Sequence, residues 1–348
     1  MKIVFVLPGL SRVPVGGFKI VYEYANRLSN RGYNVEIIYY CKKTQKKVLF
    51  LGKILCILAT KYYPKWFTLD KNIKKICSFE LEDRYTNKDV IIATSIATAE
   101  PVYKLSMGRK IYFIQDFENW GGYDKDYIYK TYSWEMKNIV ISSWLKRIVD
   151  KYSKKPSILI RNGLDYEVFK LINPIEKRNR YSISMLYHEG VHKGSQYGIE
   201  VLKRLKKYYP LLDVTLFGVF NRPLDLPEWI NYKRKPTQKD LCKIYNETAI
   251  FLCTSLKEGF GLTGAESMAC GCAYVSTDYG GQREYTIDNE NVLLSPVKDV
   301  DSIENNIKIL IENDKLRIKI AKNGYDYIRE ILNWNKSVNL LENTLKEE

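Results

Sequence analysis

The sequence predicts an α/β protein made of two successive doubly wound domains. Three observations support this fold class: continuous apolar runs of strand length, helical patterns between most of them, and glycine-containing turns that follow the strands. The 348 residues are enough for two domains of ordinary size, each with its own core. No apolar run approaches the ~18 residues of a membrane-spanning helix.

The first series of elements fills the N-terminal half of the chain. A strand at 3–7 is apolar throughout, as a strand buried on both faces should be, and a loop with Gly16 and Gly17 leads from it into a helix at 18–28. Further strands are predicted at 35–39, 90–93, 110–114, 139–142 and 157–160.

A second alternating series begins near residue 182. Strands are predicted at 183–187, 213–217, 249–253, 273–277 and 292–294, and helices at 196–208, 238–245, 263–269 and 300–313. A polar stretch at 167–181 separates the two series, so we predict domains at 1–166 and 167–330. A helix within 331–348 is expected to pack back across them. In such domains ligands bind at the carboxyl ends of the strands.

Charge and cysteine content limit the partners and the compartment. The net charge of +15 favours anionic partners, although the abundance of Lys, Ile, Asn and Tyr is also what an AT-rich genome would produce. The seven cysteines lie mostly in apolar runs without a CxxC pair, and the N-terminus lacks a signal-peptide pattern. These features predict reduced thiols and a cytoplasmic protein. One residue between Cys270 and Cys272 is too few for usual zinc ligands.

The segment from Lys42 to Lys75 departs from the alternating pattern. Its ten lysines surround an apolar stretch at 48–58 and an aromatic one at 62–67. The combination suits a helix lying on an anionic membrane, and equally an ordinary amphipathic helix with a solvated lysine face. Both interpretations stay open on the sequence alone.

Residues 188–192, His-Glu-Gly-Val-His, match the HExxH pattern of zinc proteases. That chemistry needs an α-helix, so that both histidines share one face and the glutamate activates water. Here the segment directly follows a strand, Gly190 disfavours a helix, and the chain has no third histidine. We therefore predict no metal site.

The most specific pattern is Glu258-Gly259-Phe260-Gly261-Leu262, which continues to a second glutamate, Glu266. Seven residues, 259–265, lie between the two glutamates, so Glu266 is the eighth residue after Glu258. The pattern follows the buried strand at 249–253. The glycines allow backbone amides to face a ligand, and the carboxylate of Glu266 can accept two hydrogen bonds from a vicinal diol such as ribose. Glu258 can hold a second polyol. The pattern predicts a sugar-nucleotide site, whereas a capped helix with a surface glutamate is the structural alternative.

At this pattern the chain resembles glycosyltransferase family 4, the retaining GT-B glycosyltransferases, and the resemblance covers nearly the whole chain. It extends to the motifs Gly16-Gly17, Arg161-Asn162-Gly163-Leu164-Asp165, Lys193-Gly194, Phe217-Gly218, Ala269-Cys270-Gly271 and Gly280-Gly281 to Glu284.

The resemblance implies the GT-B fold, two Rossmann-like domains that face each other across a cleft, and a nucleoside-diphosphate sugar as donor. By the same resemblance Glu266 binds the ribose, Glu258 binds the transferred sugar, and Lys193 neutralises the diphosphate. Gly16 and Gly17 approach the phosphates. The other donor-site residues expected are Arg161, Asn162, His188, Gly259, Phe260, Gly261 and Leu262.

Two positions depart from the family pattern. His188 stands where many members have an arginine, so that phosphate contact is either weaker or supplied by Arg161, Arg234 or Lys235. Gln115 and Asp116 follow the strand at 110–114, where many members have a histidine near the sugar. We expect Asp116 to take this role, which makes Glu258, Lys193 and Asp116 the catalytic candidates.

The sequence thus predicts a retaining glycosyltransferase that moves a hexose or deoxyhexose to a glycan or lipid-linked acceptor in cell-surface polysaccharide or glycoconjugate synthesis. We expect no cofactor, no metal and no nucleic-acid partner. We place the protein in the cytoplasm, and the membrane interpretation of Lys42 to Lys75 would add peripheral contact with the inner face of the cell membrane. The alternatives are other GT-B chemistry, such as nucleotide-sugar epimerisation, and a non-enzymatic basic protein that binds lipid or nucleic acid.

Overall fold

The computed structural model describes residues 1–41, 58, 60–119 and 122–347, and it divides into two compact units. The first unit comprises Met1–Asn162 and Asn335–Glu348, and the second comprises Gly163–Trp334. The chain therefore passes from one unit to the other after Asn162. The boundary predicted from the sequence lies four residues later, after residue 166.

The first unit contains a parallel sheet whose central strands are apolar throughout. Its strands are β1 (Lys2–Leu7), β2 (Asn34–Tyr40), β3 (Lys74–Ser78), β4 (Val90–Ala93), β5 (Arg109–Ile114), β6 (Lys137–Val140) and β7 (Ile158–Leu159). They lie in the order β3-β2-β1-β4-β5-β6-β7. The helices that follow strands are α1 (Gly16–Asn30), α2 (Ile96–Tyr103), α3 (Lys125–Tyr132) and α4 (Ser143–Val149).

The second unit repeats the arrangement. Its strands are β8 (Ser182–Leu186), β9 (Asp213–Gly218), β10 (Ile230–Arg234), β11 (Ile250–Cys253), β12 (Ala273–Thr277) and β13 (Leu293–Ser295), in the order β10-β9-β8-β11-β12-β13. Its helices are α5 (Ser195–Tyr208), α6 (Gln238–Glu247), α7 (Leu262–Ala269), α8 (Val300–Glu312) and α9 (Asp314–Ile331). Its core is formed by aliphatic side chains of both layers, including Val201, Leu205, Val214, Ile250 and Leu252.

The last helix, α10 (Trp334–Lys346), follows α9 directly. From Asn335 onward its residues belong to the first unit. There Glu342 forms an ion pair with Arg31 at the end of α1, and the hydroxyl of Ser337 donates a hydrogen bond of 2.6 Å to the Arg161 carbonyl.

The predicted fold class is confirmed, because both sheets are parallel and alternate with helices. Strands β3 and β10 and helix α9 are absent from the sequence prediction. Both missed strands lie at the edge of a sheet, where half-exposed residues such as Lys74 and Lys233 interrupt the apolar pattern.

Candidate functional site

The strand order of the second unit identifies where a ligand site should lie. The chain runs outward from β8 to β9 and β10, then returns to β11 on the other side of β8. Two loops therefore diverge at the carboxyl ends of β8 and β11, and such a switch point is where doubly wound domains bind ligands. The loop after β8 carries His188 and Lys193, and the loop after β11 carries Glu258.

The loop after β8 is closed by its own hydrogen bonds. The hydroxyl of Ser195 accepts from the His188 N–H and donates to the His188 carbonyl, each at 2.9 Å. Lys193 ends a short 3₁₀ turn, Val191–Lys193, and Gly194 follows with φ of +60°. A Cβ on Gly194 would lie 2.1 Å from the Thr254 carbonyl oxygen, so this position requires glycine.

Direct hydrogen bonds join the loops after β8 and β11. The Thr254 hydroxyl donates to the Gly194 carbonyl at 3.0 Å, and the Leu256 N–H donates to the His192 carbonyl at 2.7 Å. The two contacts flank Lys193. They hold Lys193 so that its ammonium reaches the loop after β11. In the motif Lys193-Gly194, the lysine therefore supplies the charge and the glycine allows the two loops to pack.

Lys193 and Glu258 form an ion pair with 2.9 Å between Nζ and Oε1. The Ser255 hydroxyl donates to the same carboxylate oxygen. Burial acts to raise the pKa of Glu258, but the charge of Lys193 and the hydrogen bonds from Ser255 and Lys193 outweigh it and hold the pKa below its ordinary value. Glu258 is therefore ionised at neutral pH although its side chain is only 11% exposed.

Both histidines lie beside this ion pair. Their ring centroids are 5.8 Å apart, and the Gly190 N–H donates to Nδ1 of His188 at 2.8 Å. Burial, together with the charges of Lys193 and His192, lowers the pKa of His188 to about 4. His188 is therefore neutral at pH 7, and with Nδ1 accepting a hydrogen bond its proton lies on Nε2, which makes it a donor.

As predicted from the sequence, the HExxH segment does not form an α-helix; its residues Val191–Lys193 form a 3₁₀ turn. Across residues 1–41, 58, 60–119 and 122–347, no three His, Cys, Asp or Glu side chains are grouped so that they could hold a metal ion. His188 serves instead as a closing element of the loop after β8.

The glycine loop after β11 leads into α7. Gly261 has φ of +85° and is the residue before α7 begins. Glu266 lies in the second turn of α7, is 4% exposed, and accepts a hydrogen bond of 3.4 Å from the Tyr245 hydroxyl. The alternative interpretation, a surface glutamate on a capped helix, is therefore wrong for Glu266, because its carboxylate is buried.

The Gly280-Gly281 turn packs against the loop that carries Glu258. A bridge pairs Glu258 with Gly280, and a Cβ on Gly281 would lie 2.5 Å from the Glu258 carbonyl oxygen. Glycine at 281 therefore allows the two backbones to touch. This contact supports Glu258 from the side of β12.

The remaining predicted residues belong to the first unit. Helix α1 begins at Gly16, and the Gln115 side-chain amide donates to the Gly17 carbonyl at 3.2 Å, so the glycine turn contacts the loop after β5. Asp116 accepts a hydrogen bond of 2.8 Å from the Phe117 N–H. Asn162 is buried, and its Oδ1 has no hydrogen-bond partner among the described residues.

Within the second unit the structure thus brings Lys193, His188 and Glu258 together beside the glycine loop. Two proposed substitutes for a phosphate-binding arginine lie at the end of β10: Arg234 is its last residue and Lys235 follows it. Strand β9 separates β10 from β8 by about 10 Å. Sequence reasoning missed Ser255. Only its position three residues before Glu258 could have indicated it, and a serine there is not specific.

Of the segment from Lys42 to Lys75, residues 42–57 and 59 lie outside the described residues. In the described part, the rings of Trp66 and Phe67 pack on Tyr22 of α1, with centroid distances of 5.6 and 5.4 Å. The Trp66 indole N–H donates to the Ser11 carbonyl at 3.1 Å. These aromatic side chains therefore belong to the core side of the first unit, and Lys74 and Lys75 begin β3.

Comparison with known proteins identifies the class to which this site belongs. Residues 190–327 match the family model of Glycosyl transferases group 1. This stretch is therefore similar to a glycosyltransferase group 1 domain. The domain contains Lys193, Glu258, the glycine loop and Glu266, and the predicted transferase class is thereby confirmed for this part of the chain.

Individual relatives of the chain are also named as glycosyltransferases. An uncharacterised glycosyltransferase of Methanocaldococcus jannaschii is 25% identical over 209 residues, which are 58% of this chain and 57% of the relative. The N,N'-diacetylbacillosaminyl-diphospho-undecaprenol alpha-1,3-N-acetylgalactosaminyltransferase of Campylobacter jejuni is 33% identical over 87 residues, 25% of this chain and 23% of that protein. The chain thus matches little more than half the length of the first relative, and less of the second.

Among solved structures, the Anabaena protein Alr3699/HepE, crystallised with UDP and glucose, superposes with a TM-score of 0.76 at 15% identity. The superposition covers 100% of both chains. At this identity the likeness concerns the fold alone, and it confirms the GT-B prediction. Among the described residues, no helix is both long and apolar enough to span a membrane.

Proposed function

We propose that the protein is a retaining glycosyltransferase of family 4 that transfers a hexose or deoxyhexose from a nucleoside-diphosphate sugar. The observation that carries this proposal is the ion pair of Lys193 with Glu258 beside the glycine loop, at the switch point of the second sheet. A cation beside a helix N-terminus suits the diphosphate of such a donor, and the two buried carboxylates, Glu258 and Glu266, suit its sugar hydroxyls and its ribose.

In this proposal each residue binds a separate part of the donor. Lys193 and the N–H groups at the start of α7 bind the diphosphate. Glu258 accepts hydrogen bonds from hydroxyls of the transferred sugar, and Glu266 accepts those of the ribose. The neutral His188 donates one hydrogen bond through Nε2 where an arginine would supply a full charge.

The reaction breaks the bond between the anomeric carbon and the phosphate oxygen and forms a bond to an acceptor hydroxyl. Negative charge develops on the leaving phosphate, and Lys193 and the fixed amides stabilise it in place before the reaction starts. The leaving phosphate takes up the acceptor proton, so retention needs no separate base. We propose that Asp116 of the first unit contacts the reacting sugar, that Gly16 and Gly17 approach the phosphates, and that no metal is required.

The acceptor proposed is a glycan or a lipid-linked sugar in cell-surface polysaccharide or glycoconjugate synthesis. The matched enzyme of Campylobacter jejuni bears the name of a lipid diphosphate acceptor, which supports this class. A cytoplasmic enzyme in peripheral contact with the membrane fits such an acceptor.

The test is thermal unfolding with millimolar UDP, GDP, dTDP or ADP, without metal and again with magnesium. A nucleotide at about a hundredfold its Kd stabilises by roughly 2.7 kcal/mol, which moves the midpoint by several degrees. The proposal expects a shift with one nucleotide, its loss in Glu266→Ala, and release of free sugar or transfer from the matching nucleotide sugar. No shift with any nucleotide would contradict it.

A further inference from the structure

Three tyrosine hydroxyls form a buried cluster beneath the glycine loop of the second unit. Tyr274 and Tyr285 are fully buried and Tyr279 is 5% exposed. The Tyr285 hydroxyl lies 2.6 Å from the Gly261 carbonyl oxygen, 3.0 Å separates the hydroxyls of Tyr279 and Tyr285, and 3.3 Å separates those of Tyr274 and Tyr279.

These distances define a direction for the hydrogen bonds. A hydroxyl has a single proton, and Tyr285 uses its own on the Gly261 carbonyl. Tyr279 then donates to Tyr285 at 3.0 Å, which is closer than its other acceptor, the Phe260 carbonyl at 3.5 Å, and Tyr274 donates to Tyr279. Burial raises the pKa of all three phenols well above its ordinary value, so each keeps its proton at neutral pH. The result is a chain of three donors that ends on one backbone carbonyl.

Two glycines provide the space for this cluster. A Cβ on Gly261 would lie 1.8 Å from the Tyr279 hydroxyl oxygen. A Cβ on Gly264 would lie 2.5 Å from the hydroxyl oxygen of Tyr274 and 2.7 Å from that of Tyr285. The hydroxyls therefore occupy the volume that side chains at 261 and 264 would need. The close packing of the loop on the cluster requires glycine at both positions.

The bond from Tyr285 fixes the plane of the peptide between Gly261 and Leu262. In a trans peptide the C=O and N–H groups point in opposite directions. When the Gly261 oxygen is held toward the buried cluster, the Leu262 N–H points away from it, at the N-terminus of α7. The same carbonyl accepts from Gly264 and Ala265 at 3.2 and 3.4 Å, so the first turn of α7 starts from this fixed peptide.

We propose that Tyr279 and Tyr285 are positioning residues for the donor site: the Tyr285 hydroxyl, which accepts from Tyr279, sets the Gly261–Leu262 peptide so that the Leu262 N–H faces the donor diphosphate. This inference rests on the proposed function. It adds a determinant of donor affinity that lies behind the loop and touches no substrate. The ordinary alternative is that the three rings only fill the core, since Tyr285 packs on Phe260 with centroids 5.3 Å apart.

Tyr285→Phe and Tyr274→Phe distinguish these alternatives. Each removes one hydroxyl from a fully buried ring, so each should lower the unfolding midpoint to a similar extent. Only Tyr285→Phe removes the bond to the loop. We expect it to raise the Kd of the nucleoside diphosphate bound by the parent about threefold to tenfold, the range for one lost hydrogen bond. Tyr274→Phe should leave that Kd unchanged.

Steady-state kinetics provide a second readout, in which Tyr285→Phe raises the KM of the donor more than it lowers kcat and leaves the acceptor KM unchanged. A Kd unchanged in Tyr285→Phe, or raised equally in both variants, overturns the proposal. A parent that binds none of UDP, GDP, dTDP and ADP instead refutes the proposed function itself. If Tyr285→Phe fails to fold, Tyr279→Phe interrupts the chain one hydroxyl earlier, and the same comparison with Tyr274→Phe decides.

Discussion

The ammonium of Lys193 lies 2.9 Å from the carboxylate of Glu258, and each neutralises the other inside the second unit. In the proposed reaction these two groups bind different parts of one donor. Lys193 must therefore share its charge between Glu258 and the diphosphate when the donor enters, whereas Glu258 exchanges part of its ion pair for hydrogen bonds from sugar hydroxyls. Stability and donor binding thus depend on the same two side chains.

Replacing Lys193 by methionine should destabilise the protein by about 3 kcal/mol, because the buried carboxylate of Glu258 loses its cation. The double variant Lys193→Met/Glu258→Gln removes the unpaired charge and should regain most of that loss while it still fails to transfer sugar. Urea unfolding measures the first effect and a transfer assay the second. Lys243→Met, which breaks the exposed pair with Glu247, serves as control and should cost about 0.5 kcal/mol or less.

If Lys193→Met unfolds like Lys243→Met, the ion pair contributes no stability. If the double variant is as unstable as Lys193→Met alone, the loss does not arise from the unpaired charge of Glu258.

The two acids of the predicted site should affect different steps. Glu266→Gln should raise the nucleotide Kd about tenfold, since a charged hydrogen-bond acceptor is lost from the ribose. Glu258→Gln should reduce kcat more than it changes the nucleotide Kd, because Glu258 binds the sugar part. Calorimetry with the nucleoside diphosphate and kinetics with the full donor separate the two. The exposed Glu247→Gln is the matched control, and equal effects of the two site variants on Kd would contradict this division.

The centre of the fold and most of the site could be predicted from the sequence, and the reason is burial. Strands such as β1 and β11 are buried on both faces and therefore show continuous apolar runs. Edge strands β3 and β10 are half exposed, and their lysines interrupt the apolar pattern by which a strand is predicted. The pairing of Lys193 with Glu258 was not predictable, since 65 residues of sequence separate the two side chains and only the adjacency of β8 and β11 brings them together.

The tyrosine cluster was beyond sequence reasoning for a related reason. Tyr274, Tyr279 and Tyr285 follow no spacing that predicts contact, and a tyrosine in an apolar strand is ordinary core material. Only the fold shows that their hydroxyls converge on Gly261. The glycines at 261 and 264 were visible in the sequence, but their partners were not.

The neutral His188 should contribute a loss of stability on acidification below about pH 6.5. Its pKa is about 4 in the folded chain and 6.5 ordinarily, so the unfolded chain binds a proton at higher pH and the free energy of unfolding decreases as the pH falls from 6.5 to 4. The depressed pKa of Glu258 acts in the same direction, but only below its ordinary value of 4.5. Over the same range Glu118 acts in the opposite direction, because burial raises its pKa to about 8. The contribution of the histidines is therefore the difference in slope between the parent and its histidine variants, measured by urea unfolding from about pH 7 to 5.

His188→Asn keeps an acceptor for the Gly190 N–H and should remove more of the histidine contribution than His192→Asn, since the pKa of His188 is lowered to about 4. Burial also lowers the pKa of His192. These are the only two histidines in the chain, which makes the comparison direct. A slope that both variants leave unchanged would show that neither histidine is buried in its neutral form.

A pair of glycines separates backbone strain from steric conflict at the donor loop. Gly32 and Gly261 both have φ of +85°, a conformation that costs an L-residue roughly 1–2 kcal/mol. A Cβ on Gly32 has no heavy atom within 4 Å, whereas on Gly261 it would lie 1.8 Å from the Tyr279 hydroxyl oxygen.

Gly32→Ala should therefore show the backbone cost alone and leave nucleotide binding intact. Gly261→Ala should cost more, because the glycine loop and the tyrosine cluster must move apart, and it should abolish the nucleotide-induced shift of the unfolding midpoint. Equal losses of stability in the two variants would mean that the loop is free to yield, and the hydroxyl cluster would then not hold it in place.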